Sequence, residues 1–592
     1  MLAEASNRRH PLLERVRFLA ISDSNLDEFL MVRLAGVQAA VRSGCFEAGP
    51  DGRAPSQQLT EIRQAVRLFL LDQRRALHEL LPLLMTEGME IVDWDTVPVS
   101  KQARLRRWIA DRLAPACRIV TLRARPRYPF VSGLTGNLAV ALRYSRNRPR
   151  LAVLNVPPEA PRLLAIASSR PNRLQRYVWL EDALQAALPD IFPHAAVESA
   201  CTFRLLRNAD FEVHNINAHN LVEKVLLGIS RREHGEPVAL QVEAGIDCDL
   251  RDMLARNLQL DSKDVYPIDG PFGLAGLSQL AQAQQPRLQY SPPSGRLARD
   301  LRPTRDLFAR LRQNDVLLHH PFDSFDPALR LVRQAAADPL ASSIKLTLYR
   351  IDAPVVDALC EAARARKNVL VLLEIKARFD EKNNLAWASR LEEAGVRVSY
   401  GFAGLKVHCK ALLIERQEVD GIRHYVQLGT GNFNCTTAQQ YTDLSLLTCN
   451  PGIAAEVSHV FDFLLDGRPL DLSFSTLLVA PVTLRSGFQW RIEREIDAHF
   501  RTGKGHIVFK MNALVDPVIV AALCRASRAG VKVDLVVRGA CCLRPGVQGF
   551  SNRIRVVSPI GRFLEHSRVF YFANGGQEEM LIGSADLMPR NL

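Results

Sequence analysis

Ile344-Lys345-Leu346-Thr347-Leu348-Tyr349-Arg350-Ile351 is an apolar, β-branched run, and Ile507-Val508-Phe509-Lys510-Met511-Asn512-Ala513-Leu514 repeats its character later in the chain. Runs of this length and composition read as buried strands. Each leads into a helical stretch, 355–366 and 518–529, and then into a second apolar run, 369–375 and 531–537. Lys376 closes one second run and Arg538 the other. Strand–helix–strand units at a matched offset predict two similar α/β domains with mainly parallel sheets. Sites in such sheets lie at the carboxyl ends of strands. Lys376, Arg378 and Arg538 fall there, and Arg350 ends the first strand.

The repeat extends to chemistry-bearing residues. Gly404-Leu405-Lys406-Val407-His408-Cys409-Lys410 precedes Gly429-Thr430-Gly431-Asn432-Phe433-Asn434. Near the C-terminus, Leu564-Glu565-His566-Ser567-Arg568 precedes Gly583-Ser584-Ala585-Asp586. Each half reads histidine, one residue, a cation, then a Gly-Thr/Ser loop. Two such half-sites predict one active site at the interface of two domains, with a histidine from each. A neutral imidazole is a good nucleophile toward phosphorus, and nearby cations stabilise a transferring phosphoryl group. Lys406, Lys410, Arg350, Lys376 and Arg378 could supply that charge in the first half, Arg538 and Arg568 in the second. No G-x-x-x-x-G-K-[ST] run occurs, so nucleotide phosphates must be held by side-chain cations and loop amides. The bland readings are a structural histidine beside an apolar run, solvated boundary residues at Arg350, Arg378 and Arg538, and a packing role for Tyr441. Asn432 and Asn434 read equally well as turn residues.

The rest of the chain reads as a large multidomain enzyme. Residues 1–92 carry helical periodicity, and 93–300 mix short strands and helices, with a hairpin expected from 137–144 and 151–156. Gln282 to Thr304 reads as a linker into a first catalytic domain, 301–480, followed by a second, 481–592. Lys plus Arg number 76 against 63 acidic residues, a net charge of +13. That balance suits a polyanion partner, although a generally basic surface would give it too. Without Lys/Arg blocks, dedicated nucleic-acid binding is not expected. The 11 cysteines lack paired metal spacing, and neither a secretory signal nor a long apolar run occurs. A cytoplasmic protein with reduced thiols is expected, with peripheral attachment to the inner membrane left open.

The chain resembles the polyphosphate kinases that work through a phosphohistidine. The resemblance rests on HHPFDSF (319–325), IKLTLYRI, LLEIKARFDEKNN (372–384), GLKVHCKALL, LGTGNFNCTTAQQYTDLSLLT, VVRGACCLRPGVQG, GRFLEHSRVFYFANGG and GSADLMPRNL, and on PLLERVRFLAISDSNLDEFLMVR (11–33). It implies a helical N-terminal domain, an α+β second domain and two repeated phospholipase D-like α/β catalytic domains. It implies ATP and ADP as substrates, inorganic polyphosphate as acceptor, and reversible transfer of the terminal phosphate. His408 would become phosphohistidine, and His566 would stand near the nucleotide phosphates as general acid. Asn25, Tyr441, Arg538 and His566 would contact nucleotide. Arg350 and Arg378 match positions associated with bound magnesium. An arginine has only donors, so both read as partners of phosphate or water around the ion. A homo-oligomer is expected. The resemblance also implies a further N-terminal helix and a longer second catalytic domain, so shortened ends are expected here.

Two alternatives remain open on sequence. A phospholipase D-like phosphodiesterase or nuclease would carry an acid five positions after the H-x-K cation. Glu415 fits after Lys410, but Ala573 follows Arg568 at that spacing. A truncated paralogue that only binds polyanions is the other.

Overall fold

The computed structural model describes residues 1–49, 52–122, 131–144, 150–167, 174–209, 234–282, 285–298, 301, 306–374, 381–401, 405–467 and 474–592. The chain divides into two compact units, an N-terminal one extending to Ser291 and a C-terminal one from Pro292.

In the N-terminal unit, helix Leu12–Glu28 places Leu13, Val16, Leu19 and Ala20 on one face at helical spacing. That face packs on Ala76, Leu77, Leu80 and Leu84 of the long helix Pro55–Thr86. The long helix starts at a proline, whose missing N–H would have had no helical partner there. A six-stranded sheet follows in the order Arg118–Leu122, Arg150–Asn155, Gly136–Arg143, Ala196–Arg207, Pro237–Glu243, Val265–Ile268. The expected hairpin is the antiparallel pair Gly136–Arg143 with Arg150–Asn155. Helices and sheet share a core in which Leu30, Leu34 and Leu70 meet Leu206, Val238 and Tyr266. Two ion pairs with little solvent contact cross that core: Arg204 grips Asp27 through two N–H donors, and Arg63 grips Asp264 likewise.

The C-terminal unit contains two sheets built on one plan. The first runs Val316–His320, Tyr441–Thr448, Gly421–Gly429, Ala411–Glu418, Ala341–Leu348, Asn368–Leu373, Arg397–Ser399. The second runs Glu579–Gly583, Arg568–Phe572, His506–Met511, Lys532–Val537, Ile554–Val557. In each, the strand anticipated from the apolar run (Ala341–Leu348; His506–Met511) crosses over a helix (Ala353–Arg364; Pro517–Arg528) to a parallel neighbour. On its other side lies an antiparallel strand that begins just after the histidine. Asn368–Leu373 is buried along nearly its whole length, as a strand covered on both faces should be, whereas edge strand Val316–His320 alternates buried and exposed.

The expectation of mainly parallel sheets needs correction. Among the described residues three consecutive strands in each sheet run parallel, and the strands carried by the histidine segments pair with them antiparallel. Ala411–Glu418 then returns through a tight hairpin at Gly421, whose φ of +124° suits glycine alone, and so short a connection makes its pair with Gly421–Gly429 antiparallel as well.

Leu564–Glu565, from the second half, pairs in parallel with Tyr441–Thr442 of the first sheet. This graft carries His566 into the first half. Among the described residues no helix is long and apolar enough to cross a membrane.

Candidate active site

His408 sits in the coil Leu405–Lys410 that runs into strand Ala411–Glu418. Three tethers fix this coil. The buried Glu374 carboxylate accepts from Val407 N at 3.0 Å. Thr347 Oγ1 donates to Cys409 O at 2.9 Å and accepts from Ala411 N at 3.0 Å. Lys410 Nζ, itself buried, donates to His408 O at 2.6 Å. The His408 ring meets the Tyr349 ring edge-on, with centroids 5.7 Å apart. Its Nδ1 is buried and has no hydrogen-bond partner among the described residues. The neighbouring basic groups are Lys410, Arg568, His566 and Lys406. Lys410 and burial, followed by these, hold His408 well below the usual imidazole range, so the ring is neutral. Burial brings Lys410 down to about 7.

His566 is held differently. Both Asp443 oxygens lie 2.9 Å from its Nδ1. Arg568 Nη1 approaches Nε2 at 3.2 Å. Arginine is only a donor, so Nε2 accepts and the proton sits on Nδ1, pointing at Asp443. Burial lowers the His566 pKa and the Asp443 hydrogen bond works against it. Asp443 also accepts from Thr430 Oγ1 at 2.6 Å. A Cβ at Gly431 would collide with the Asp443 carboxylate, which is why this loop requires glycine there. Arg568 Nη1 donates to Thr430 O at 3.3 Å and Arg568 Nη2 pairs with Asp586 at 2.9 Å. The half-sites therefore interlock: the Gly-Thr-Gly loop of the first half holds the cation of the second, and Asp443, braced by that loop, holds its histidine.

Around this pair, Tyr441 lies with its ring 5.2 Å from that of His566 and accepts from Arg350 Nη1 at 3.3 Å. Arg538 Nε donates to Asn512 Oδ1 at 2.7 Å, and Asn512 N donates to Asp586 at 2.8 Å. Burial and then Arg568 lower the Arg538 pKa. Thus His408, His566, Tyr441, Arg350 and Arg538 are linked through direct contacts or shared neighbours. Asn25 is exposed on helix Leu12–Glu28 of the N-terminal unit. Arg378, Lys376 and Gly404 lie outside the described residues. Asn434 is a turn residue: its Oδ1 accepts from Thr437 N at 2.7 Å. Glu415, the acid a phosphodiesterase reading needs, has its carboxylate on Lys345 at 3.0 Å. Among the described residues no group of three His, Cys, Asp or Glu side chains could hold a metal ion. Arg350, a pure donor, cannot be an inner ligand. These residues do not fit a protein-built magnesium site.

Sequence reasoning missed Asp443, Asn512 and Tyr349, and gave no role to Asp586. The two acids follow the two Gly loops, but at unequal spacing, Asp443 on the next strand and Asp586 within its loop, so comparing the halves does not expose them. Asn512 and Tyr349 stood inside the strand runs and read as strand residues.

Comparison with known proteins gives a consistent result. Family models match for the polyphosphate kinase N-terminal domain over residues 1–92, the middle domain over 100–280, C-terminal domain 1 over 306–468 and C-terminal domain 2 over 477–592. Polyphosphate kinase 1 of Chlorobaculum tepidum is 41% identical over 592 residues, spanning 99% of this chain and 85% of its own. The polyphosphate kinase of Streptomyces coelicolor is 44% identical over 602 residues, spanning 100% of this chain and 80% of its own. The crystal structure of polyphosphate kinase from Porphyromonas gingivalis matches with a TM-score of 0.84 at 32% identity, covering 100% of this chain and 86% of that one.

Proposed function

We propose that this chain, which belongs to the polyphosphate kinase family, transfers the terminal phosphate of ATP to the end of an inorganic polyphosphate chain by way of His408. The observation that carries this reading is a neutral imidazole set among cations, with a second histidine 158 residues on entering the same site. A neutral ring attacks without first losing a proton, and the surrounding charge favours the phosphoryl group as negative charge spreads over its oxygens.

In the first step a His408 ring nitrogen bonds to the γ-phosphorus while the bond from that phosphorus to the β–γ bridging oxygen breaks, and ADP leaves. In the second, a terminal oxygen of polyphosphate attacks the same phosphorus and the N–P bond breaks, returning His408 to its neutral state. Run backwards, the two steps make ATP from polyphosphate and ADP. Lys406, Lys410 and Arg568 face the transferring group, and Arg350, Tyr441 and Arg538 serve the nucleotide. Asn25 is assigned to the nucleotide by family resemblance alone. Docked phosphates favour a protonated His566, held at Nδ1 by Asp443, whose Nε2–H then donates to the leaving oxygen. Magnesium would travel on the nucleotide phosphates and their water, as its reluctance to dehydrate favours.

The test is incubation of the purified protein with γ-labelled ATP and magnesium, followed by acid and alkali treatment. Acid-labile, alkali-stable label that chases into polyphosphate or back to ADP is the expected result. A protein that extends polyphosphate with no such label at any time would exclude the covalent route.

A further inference from the structure

We infer that Tyr349 is a positioning residue for the H-x-K lysines, its ring face holding Lys406 and Lys410 beside the His408 imidazole; this rests on the phosphotransfer reading above. Tyr349 follows strand Ala341–Leu348 directly, at the carboxyl end where the sheet opens onto the site. Lys406 Nζ lies 5.3 Å and Lys410 Nζ 5.0 Å from the ring centroid. Both distances are within the range where an aromatic face attracts an ammonium group. The same ring meets His408 edge-on at 5.7 Å. One side chain thus touches the proposed nucleophile and both flanking cations.

The backbone that carries the ring is fixed from behind. The buried Asn384 donates from Nδ2 to Tyr349 O at 2.9 Å and to Glu374 O at 3.4 Å. Glu374 in turn accepts from Val407 N at 3.0 Å. The end of the strand, Glu374 and the histidine coil are therefore tied to one another through the Asn384 amide and the Glu374 carboxylate.

The electrostatic need for such a ring is plain. Lys406, Lys410 and Arg568 all press on His408. The carboxylates nearby already hold other groups: Asp443 holds His566 and Thr430, Asp586 holds Arg568 and Asn512, and Glu374 holds Val407 N. Before a phosphate arrives, the lysines need a partner that does not compete with it. A carboxylate would bind them too firmly and repel the polyanion. A π face attracts them weakly and yields when phosphoryl oxygens approach. Lys410 has Arg568, Lys406, Cys409 and Asp443 as its charged or titratable neighbours, and its His408 O contact is a backbone carbonyl. Of these only Asp443 is a carboxylate, and its hydrogen bonds go to His566 and Thr430.

The experiment compares Tyr349→Phe, which keeps the ring face, with Tyr349→Met and Tyr349→Leu, which keep apolar bulk without it. Single-turnover phosphoenzyme formation from γ-labelled ATP is the readout, with circular dichroism as the folding control. Near wild-type rates are expected for Tyr349→Phe, and rates lower by about tenfold or more for the aliphatic variants, in line with losing a desolvated cation–π contact. A double-mutant cycle of Tyr349→Met with Lys410→Met should show coupling, the double variant being less impaired than the product of the single losses. Unchanged rates in the aliphatic variants overturn the inference. So does an equal loss in Tyr349→Phe, which would assign the role to the hydroxyl, and so does strict multiplicativity in the cycle. Absence of phosphoenzyme in the unaltered protein would instead strike the phosphohistidine reading itself.

Discussion

The two halves of the C-terminal unit share a strand order and differ in what they give their histidines. His566 has a carboxylate on Nδ1 and an arginine at Nε2. His408 has cations around it and an Nδ1 without a hydrogen-bond partner among the described residues. The acid that follows the second Gly loop, Asp586, is not available to His408, because its oxygens accept from Arg568 and from the backbone N–H groups of Asn512 and Ala513. A carboxylate on an imidazole helps it take up a proton; cations alone keep it neutral. On the proposed reading, one fold repeated twice supplies a proton carrier in one half and a nucleophile in the other. The helices after the first strands diverge in the same way. Asp516 caps its own helix, accepting from Val518 N and Ile519 N, which contributes about 1 kcal/mol in typical cases. Its counterpart Asp352 instead accepts from Cys435 N and Thr436 N, bracing the Asn-rich loop of the first half-site.

If the halves have parted roles this way, the largest effect belongs to the nucleophile. His408→Ala removes the covalent carrier and should abolish both phosphoenzyme and polyphosphate synthesis with the fold intact. A correctly folded variant with normal turnover would break the comparison outright. His566→Ala should slow phosphoenzyme formation by about 10²–10⁴-fold, the usual contribution of a general acid, while His408 remains able to accept. The double variant should be no worse than His408→Ala, since residues acting as a unit are not additive. Fast-quenched single-turnover measurements decide this, and a wild-type rate in His566→Ala would reduce the second half to a structural echo.

Much of this contrast was legible in the chain and part of it was not. Apolar runs, their helices and the paired H-x-cation segments carry local signals, so the repeated α/β plan and both histidines could be read directly. The antiparallel direction of the histidine strands is set by pairing with a strand far earlier in the chain, which apolar periodicity does not encode. The Asp443–His566 pair links residues 123 positions apart. It depends on the Leu564–Glu565 strand adding to the other half's sheet, and a two-residue strand leaves no pattern to find. Tyr349 was invisible for a different reason: an aromatic at a strand end is ordinary, and only the two ammonium groups over its ring distinguish it.

Arg350 probes the nucleotide side of the same comparison. Its bond to Tyr441 ties a cation of the first half to the ring that neighbours His566. Arg350→Ala should reduce turnover by about 10²–10³-fold, as expected for one stabiliser of transition-state charge. Steady-state kinetics with a folding control check this. A change confined to KM would place Arg350 in ground-state binding and leave the transition state to the lysines and Arg568.

The smallest effect is a pH shift, and it separates the two components of the first half-site. His408 is active when neutral, and its depressed pKa keeps it so as pH falls past the ordinary histidine value, so the acid limb of kcat/KM should lie well below 6.5. Lys410 is active when charged. Burial brings it to about 7, so it loses its proton, and the free enzyme loses kcat/KM, as pH rises through that value. Bound phosphates favour the ammonium form, so the alkaline limb of kcat should stand above that of kcat/KM. Arginine stays charged throughout the range. Lys410→Arg should therefore remove the lysine's part of the alkaline limb, leaving that of His566 as general acid, while the acid limb stays in place. An alkaline limb unmoved in that variant would mean another group governs it, and the lysine of the first half-site would be no more tuned than the arginine of the second.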